Sequence, residues 1–390
     1  MMILPDYDNS ILSTVASVMK AYGLPSGYPT LPVLDEMLAD RPKNIVILLL
    51  DGLGVTTLEE VLPQESFLRR HHVHTVTSVV PSTTTAATTA YATGLSPNEH
   101  AWLGWSLYFK ECAQQLDIFR GTVTHWGHKF SPQSPAYRYM PYETLFSRIR
   151  KATEDRVRTV DMSPYPDADC GATETVTCST HSFPNMLDRL EKLLKADKGE
   201  QYIYAYWPDP DSEAHGSGPL SDKSRALVKQ MNAELEQFAR RIEGTDTLLI
   251  ISADHGLRGN MRPVYINRIP EIMDCLIMPP SIELRAATFF VKPHKKAQFE
   301  EAFRARFGET FVLFTREEVL EKQLFGRGQS HPKVDDFLGD YLACAIGDEY
   351  IEFAALHERE EHRFRGAHAG LSREEMLVPV IPLRFHAKPQ

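Results

Sequence analysis

Seven residues, Asn44 to Leu50, read NIVILLL and stop abruptly at Asp51 in DGLG. A strand with one wet face alternates apolar and polar residues, so a short unbroken apolar run indicates a strand covered on both faces. QYIYAYW (Gln201 to Trp207) and TLLIIS (Thr247 to Ser252) have the same character, and each runs straight into acidic and histidine residues. Helical patterns such as FPNMLDRLEKLLKAD and DKSRALVKQMNAELEQFARRIEG lie between them. Buried strands alternating with helices predict an α/β fold: a mostly parallel central sheet with helices on both faces. In such sheets the ligand crevice lies outside the carboxyl ends of the strands. Asp51, Asp211 and Asp254 all fall there.

The pattern changes near Met278. AATFFVKP, HKKAQFEEAFRARFG, FVLFT and REEVLEKQLFG read strand, helix, strand, helix in a compact unit. Residues 278–345 are therefore expected to form a small α+β cap inserted into a core of residues 1–277 and 346–390. The core pattern returns through YIEFAA to LVPVIPL, a last strand with prolines near its ends. At 390 residues, a large domain with an insertion, or two domains, is the expectation.

Composition limits the partners. A formal charge of −10 argues against non-specific binding to a nucleic-acid polymer or an anionic membrane. The same charge makes an anionic substrate awkward unless a cation sits in the site. Five scattered cysteines without a C-x-x-C pair indicate neither a disulfide framework nor a cysteine zinc site. The first residues carry acids where a signal peptide carries bases, and no window approaches a membrane span. A cytoplasmic protein is the expectation.

The stretch VVPSTTTAATTAYATGLSP, Val79 to Pro97, holds six threonines and two serines. Such hydroxyls can cap a helix or bond back to its carbonyls, or one of them can be a nucleophile. DPDSEAHGSGP puts Asp211 and His215 four residues apart, on one face of a helical turn. That spacing suits a shared metal and equally a helix-surface contact. Asp254 and His255 are neighbours, so a shared role needs a turn, which Gly256 permits. His368 lies among small residues in FRGAHAGLS. Taken together, three carboxylates and three histidines converge on strand ends and glycine turns. Two divalent cations against three aspartates leave the site positive enough to hold a phosphoryl anion, the arrangement for two-metal in-line displacement. Mixed Asp/His sets suit two zinc ions, with manganese or iron as alternatives.

The ordered segments LLLDGLG, PSTTTAATTAYATGLSPNEH, PDSEAHGSGP, SADHG and GAHAGLSREEMLVPVI resemble the alkaline phosphatase superfamily. They are most similar to its branch of nucleotide pyrophosphatase/phosphodiesterases and phosphonoacetate hydrolases. The resemblance runs from Asn44 to Leu383. In that branch a threonine stands nine residues before the T-G-L turn and three after a proline; Thr93 and Pro81 both point to Thr84. The resemblance implies Thr84 as the nucleophile at a helix N-terminus, where free N–H groups and the dipole favour anions. It further implies one zinc on Asp211, His215 and His368 and another on Asp51, Asp254 and His255, with Thr84 bridging them. Tyr206 falls where nucleotide-cleaving relatives place an aromatic that stacks on the base; a packed core tyrosine is the alternative.

The chain also departs from the family. An asparagine about twenty residues after the nucleophile, which helps bind a non-bridging oxygen, is missing; EHAWLGW offers Gly104 and Trp105 instead. His100-Ala101 replaces His-Gly, and Thr85-Ala86-Ala87 replaces Phe-Pro-Asn. The implied activity is cleavage of a phosphodiester or pyrophosphate bond in a small phosphorylated substrate, through a phosphothreonine intermediate. Phosphonate hydrolysis, monoester hydrolysis and phosphosugar mutase chemistry are the alternatives within the superfamily; a metal-binding protein without catalysis is the alternative outside it. The lack of a C-x-P-x-R or S-x-P-x-R segment argues against a sulfatase.

Overall fold

The computed structural model of the protein describes residues 1–124, 126–130, 134–165, 176–196, 198–353 and 363–387. Cys170 and the end of the run YIEFAA lie outside them. Among the described residues no helix is long and apolar enough to cross a membrane.

A seven-stranded sheet forms the centre, in the order His74–Thr77, Leu377–Phe385, Thr247–Ser252, Asn44–Leu50, Gln201–Trp207, Arg158–Ser163, Val176–Ser179. The three apolar runs of the sequence are its three middle neighbours, and all pair in parallel. Every residue of Asn44–Leu50 is buried, as an unbroken apolar run requires. At the amino end the buried Asn44 Oδ1 accepts a hydrogen bond from Gln201 Nε2 at 3.0 Å, while Asn44 Nδ2 donates to Thr245 O at 2.9 Å. These satisfied polar groups penalise any slip in register.

Helices pack in two separate groups, as covering both faces demands. Ile11–Ala21, Pro32–Leu38, Thr84–Thr93 and Leu145–Ala152 contact one another; Val55–Val61, Phe67–Arg70, Phe183–Lys195 and Asp222–Arg241 do likewise. The last strand, Leu377–Phe385, runs antiparallel. Its first half pairs with His74–Thr77 and its second half with Thr247–Ser252. Each half therefore has one free side, which explains how Pro379 and Pro382, lacking N–H groups, fit inside the sheet.

The region 278–345 does supply strand, helix, strand and helix: Ala286–Phe289, Lys296–Phe307, Phe311–Thr315 and Arg316–Glu321. It does not form a sheet by itself. The second seven-stranded sheet runs Phe311–Thr315, Tyr341–Ala345, Ala286–Phe289, Ser281–Ile282, Ser106–Phe109, Gln114–Asp117, Thr122–Val123. Its last three strands come from residues 106–123, within the expected core of residues 1–277 rather than the 278–345 insertion. The join is narrow: Ile282 pairs with Ser106. No apolar run marks those strands, because SLYF and QQLD are short and half polar.

One face of this second sheet packs on Phe299, Phe303 and Phe307. The other shares a cluster with residues next to the central sheet, where Ile282, Ala286, Leu342 and Cys344 meet Val80, Leu371 and Met376. A fully buried ion pair ties the two layers. Arg285 Nε and Nη2 each donate to Glu375 at 2.7 Å, and Arg285 Nη1 donates to Gly347 O and Glu349 O. Glu375 also accepts the Gly370 N–H at 2.8 Å, which fixes the loop carrying His368.

Candidate active site

Parallel register decides where the acids gather. Leu50 pairs with Trp207 and Leu49 with Ser252, so the next residues of all three strands emerge at one edge. The Asp51 N–H continues the ladder onto Trp207 O at 2.9 Å, and the Asp211 N–H donates to Asp51 O at 3.1 Å. Asp211 opens the short helix Asp211–Ser217, which carries His215 on the same face. Gly52 has φ +73°, and a Cβ there would stand 2.9 Å from Asp211 Cβ. At Gly256 a Cβ would stand 2.1 Å from Glu374 O. The bare backbones of DGLG and DHG let three acidic turns close on one point.

Two sets result. Asp51, Asp254 and His255 present donor atoms within 4.8 Å of one another, as do Asp211, His215 and His368. The histidines are oriented alike. Nδ1 of His215 faces Gly366 O at 2.9 Å, Nδ1 of His255 faces Gly256 O at 3.1 Å, and Nδ1 of His368 faces Ser82 O at 3.3 Å. A carbonyl oxygen only accepts, so these bonds assign the proton to Nδ1 and leave Nε2 free. Each Nε2 points at carboxylate oxygens: 3.1 Å to Asp211 for His215, 3.4 Å to both Asp51 and Asp254 for His255, and 3.7 Å to Asp211 for His368. Neutral imidazole lone pairs aimed at carboxylate lone pairs repel unless a cation or proton lies between them.

The aspartates give the same message. Asp51 Oδ1, Asp211 Oδ1 and Asp254 Oδ2 are buried and have no hydrogen-bond partner among the described residues. Leaving a buried charged oxygen unpaired costs on the order of 1–3 kcal/mol or more. Burial, then Asp254 and Asp211, push the Asp51 carboxyl well above the usual carboxylate range. Asp254 is also raised, chiefly by burial. Asp211 is held low: burial opposes this, but His215, His368 and His255 together outweigh it. Burial, then the neighbouring His255, push His368 well below an ordinary histidine. Three buried carboxylates and three imidazoles crowd together here, and each of the two sets could hold a metal ion.

Thr84 begins the helix Thr84–Thr93, whose N-cap is Thr83. Its neighbours behave as ordinary helical threonines: Thr88, Thr89 and Thr93 each donate back to the carbonyl four residues earlier. Thr84 does not. Its Oγ1 lies 3.1 Å from His255 Nε2 and 3.4 Å from Asp51 Oδ2. The first N–H groups of a helix have no partner within it, so the hydroxyl stands beside donors suited to an anion.

All seven residues read as nucleophile and ligands thus meet at one place. Tyr206 meets them too, in a way the sequence did not signal: its hydroxyl donates a very short hydrogen bond to Asp51 Oδ2. Its ring lies 6.4 Å from that of Tyr165. Sequence reasoning also missed Glu283, which reaches the start of the helix from 200 residues away. Its Oε1 accepts the Thr83 hydroxyl and the Trp105 N–H, both at 2.7 Å. No local motif could reveal this, because Glu283 sits in a turn whose pairing is set by the second sheet.

The fold is similar to that of murine ectonucleotide pyrophosphatase/phosphodiesterase 5, solved as an inactive variant in complex with AMP (TM-score 0.63, 17% identity, covering 86% of this chain and 87% of that one). It is also similar to the human protein of that name (TM-score 0.63, 16% identity, 88% of each chain). A third relative is phosphonoacetate hydrolase from Sinorhizobium meliloti 1021, solved with phosphonoformate (TM-score 0.60, 16% identity, 90% of this chain and 92% of that one). At these identities the likeness speaks for the fold alone. The sequence has no significant match among curated proteins. Residues 45–370 match the sequence model of type I phosphodiesterase/nucleotide pyrophosphatase, a span that contains both aspartate–histidine sets and Thr84. With that match over most of its length, the chain belongs to the type I phosphodiesterase/nucleotide pyrophosphatase family.

Proposed function

We propose that the protein is a two-metal phosphohydrolase that cleaves a phosphodiester or pyrophosphate bond in a small substrate, with Thr84 as the nucleophile. The observation that carries this reading is the Thr84 hydroxyl, turned away from its own helix and toward Asp51 and His255, beside three orphaned carboxylate oxygens. Asp51, Asp254 and His255 would hold one divalent cation and Asp211, His215 and His368 the other. When bound, the two ions supply positive charge for the transferred phosphoryl group and for the attacking and leaving oxygens.

The chain's own groups set the geometry. Among the described residues, the hydrogen-bond partners of Thr84 Oγ1 are Asp51 and His255 of the first set, so in-line attack from there directs the leaving oxygen toward Asp211, His215 and His368. The N–H groups at the start of the helix face the non-bridging oxygens. Thr84 forms a bond to phosphorus as the bond to the leaving alcohol or phosphate breaks. Water then displaces Thr84 from phosphorus and restores the hydroxyl. Phosphonate hydrolysis is the second reading, favoured by likeness to a fold solved with phosphonoacetate.

The test is Thr84→Ala assayed on a nitrophenyl phosphodiester, a nitrophenyl monoester and phosphonoacetate, with metal content measured. The parent should carry about two divalent ions per chain and prefer the diester. Thr84→Ala should lose several orders of magnitude in kcat at unchanged metal content. Wild-type turnover in that variant would refute the covalent route, and a metal-free, inactive parent would refute the reading as a whole.

A further inference from the structure

We infer that Glu283 is a specificity-determining residue, whose carboxylate biases the site against doubly charged phosphoryl groups and toward singly charged phosphodiesters. The inference rests on the phosphohydrolase reading above and adds a residue to it from the second sheet. Glu283 lies in the turn between Ser281–Ile282 and Ala286–Phe289, with its N–H on Ala286 O at 3.1 Å. Its Oε1 receives the hydroxyl of Thr83, immediately before the nucleophile, and the N–H of Trp105. Neither donor carries a full charge. Among the described residues no lysine or arginine pairs with Glu283, and Oε2 accepts no hydrogen bond. The cation on the same turn, Arg285, is committed to Glu375 and to the carbonyls of Gly347 and Glu349.

This places an acid one residue from Thr84, at the helix start whose N–H groups face the non-bridging oxygens of the transferred phosphoryl group. Burial lifts the Glu283 carboxyl to about 7 against the pull of Thr83 and Trp105, so it is ionised at pH 8.5. A monoester carries one more negative charge than a diester at that pH. Across a few ångströms of partly buried space, an extra like-charge contact is worth roughly a tenfold discrimination or more.

The test compares the parent with Glu283→Gln, which keeps the acceptor oxygen and the volume but removes the charge. The readouts are kcat/KM on bis-nitrophenyl phosphate and on nitrophenyl phosphate at pH 8.5, and the Kd of inorganic phosphate by calorimetry. We expect the monoester-to-diester ratio to rise roughly tenfold or more and phosphate to bind tighter by a similar factor. Glu283→Asp, which keeps the charge, should hold the parental ratio, and Glu283→Ala should move it in the same direction as Gln. An unchanged ratio and phosphate Kd in Gln and Ala would overturn the inference. A parent that cleaves neither ester would instead overturn the proposed function, and phosphate binding would still decide the role of Glu283.

Discussion

Replacing Arg285 by leucine tests the joint between the two sheets. Arg285 and Glu375 are both fully buried, and the guanidinium makes two 2.7 Å bonds to the carboxylate and two more to the carbonyls of Gly347 and Glu349. Without Arg285, the Glu375 carboxylate keeps only the Gly370 N–H at 2.8 Å and the Ser372 N–H at 3.3 Å. Stranding one partner of a buried pair costs about 3–5 kcal/mol. Each carbonyl left without its donor adds about 1 kcal/mol. The single change should therefore remove about 5–7 kcal/mol, a large share of the 5–15 kcal/mol typical of folded proteins. Pairing it with Glu375→Gln removes the stranded charge while leaving an acceptor for Gly370, and should restore at least about 2 kcal/mol. Urea unfolding followed by tryptophan fluorescence reads this directly, because Trp102 lies in the cluster shared by the two layers. A single variant within about 1 kcal/mol of the parent, or a double variant no more stable than the single one, would refute the reasoning.

Other perturbations probe the site and its frame. Tyr206→Phe deletes the hydroxyl on Asp51 and should weaken metal binding about 10- to 100-fold with the fold intact; an unchanged metal Kd with a raised nucleotide KM would assign the ring to the substrate instead. Excising residues 281–326 should abolish folding, since Tyr341–Ala345 would lose both its partner strands and Ser106–Phe109 its pairing with Ile282; a soluble, metal-binding product would show that this part of the second sheet is dispensable. Glu283 has a folded pKa of about 7, above its ordinary 4.5, so its contribution to stability is present below 4.5 and lost as pH rises through 7. Glu283→Gln should therefore gain stability relative to the parent between pH 4.5 and 7 and hold a constant margin above 8, as pH-dependent thermal melts would report; parallel melting curves across that range would contradict the buried, raised carboxyl.

The site was legible to the extent that its residues are tied to chain-local patterns. Asp51, Asp211 and Asp254 follow apolar runs, and a parallel sheet aligns the ends of such runs, so their meeting follows from pattern alone. Thr84 stands out among eight hydroxyls only through the resemblance to the family, whose spacing from a proline and a T-G-L turn matches Pro81 and Thr93. Its orientation, away from the back-bonding of Thr88, Thr89 and Thr93, needed the folded helix.

The sequence alone determined the parallel core and the carboxyl-end location of the acids, because burial on both faces and glycine turns leave local marks; the division of the ligands into two sets came only as an implication of the resemblance to the family. Only the tertiary structure decided that Ser106–Val123 completes the second sheet, that Arg285 clasps Glu375, and that Glu283 and the Tyr206 hydroxyl stand at the site. Short half-polar strands carry little periodicity, and a contact spanning 200 residues is specified by how the sheets pack against each other rather than by any stretch of sequence around either partner.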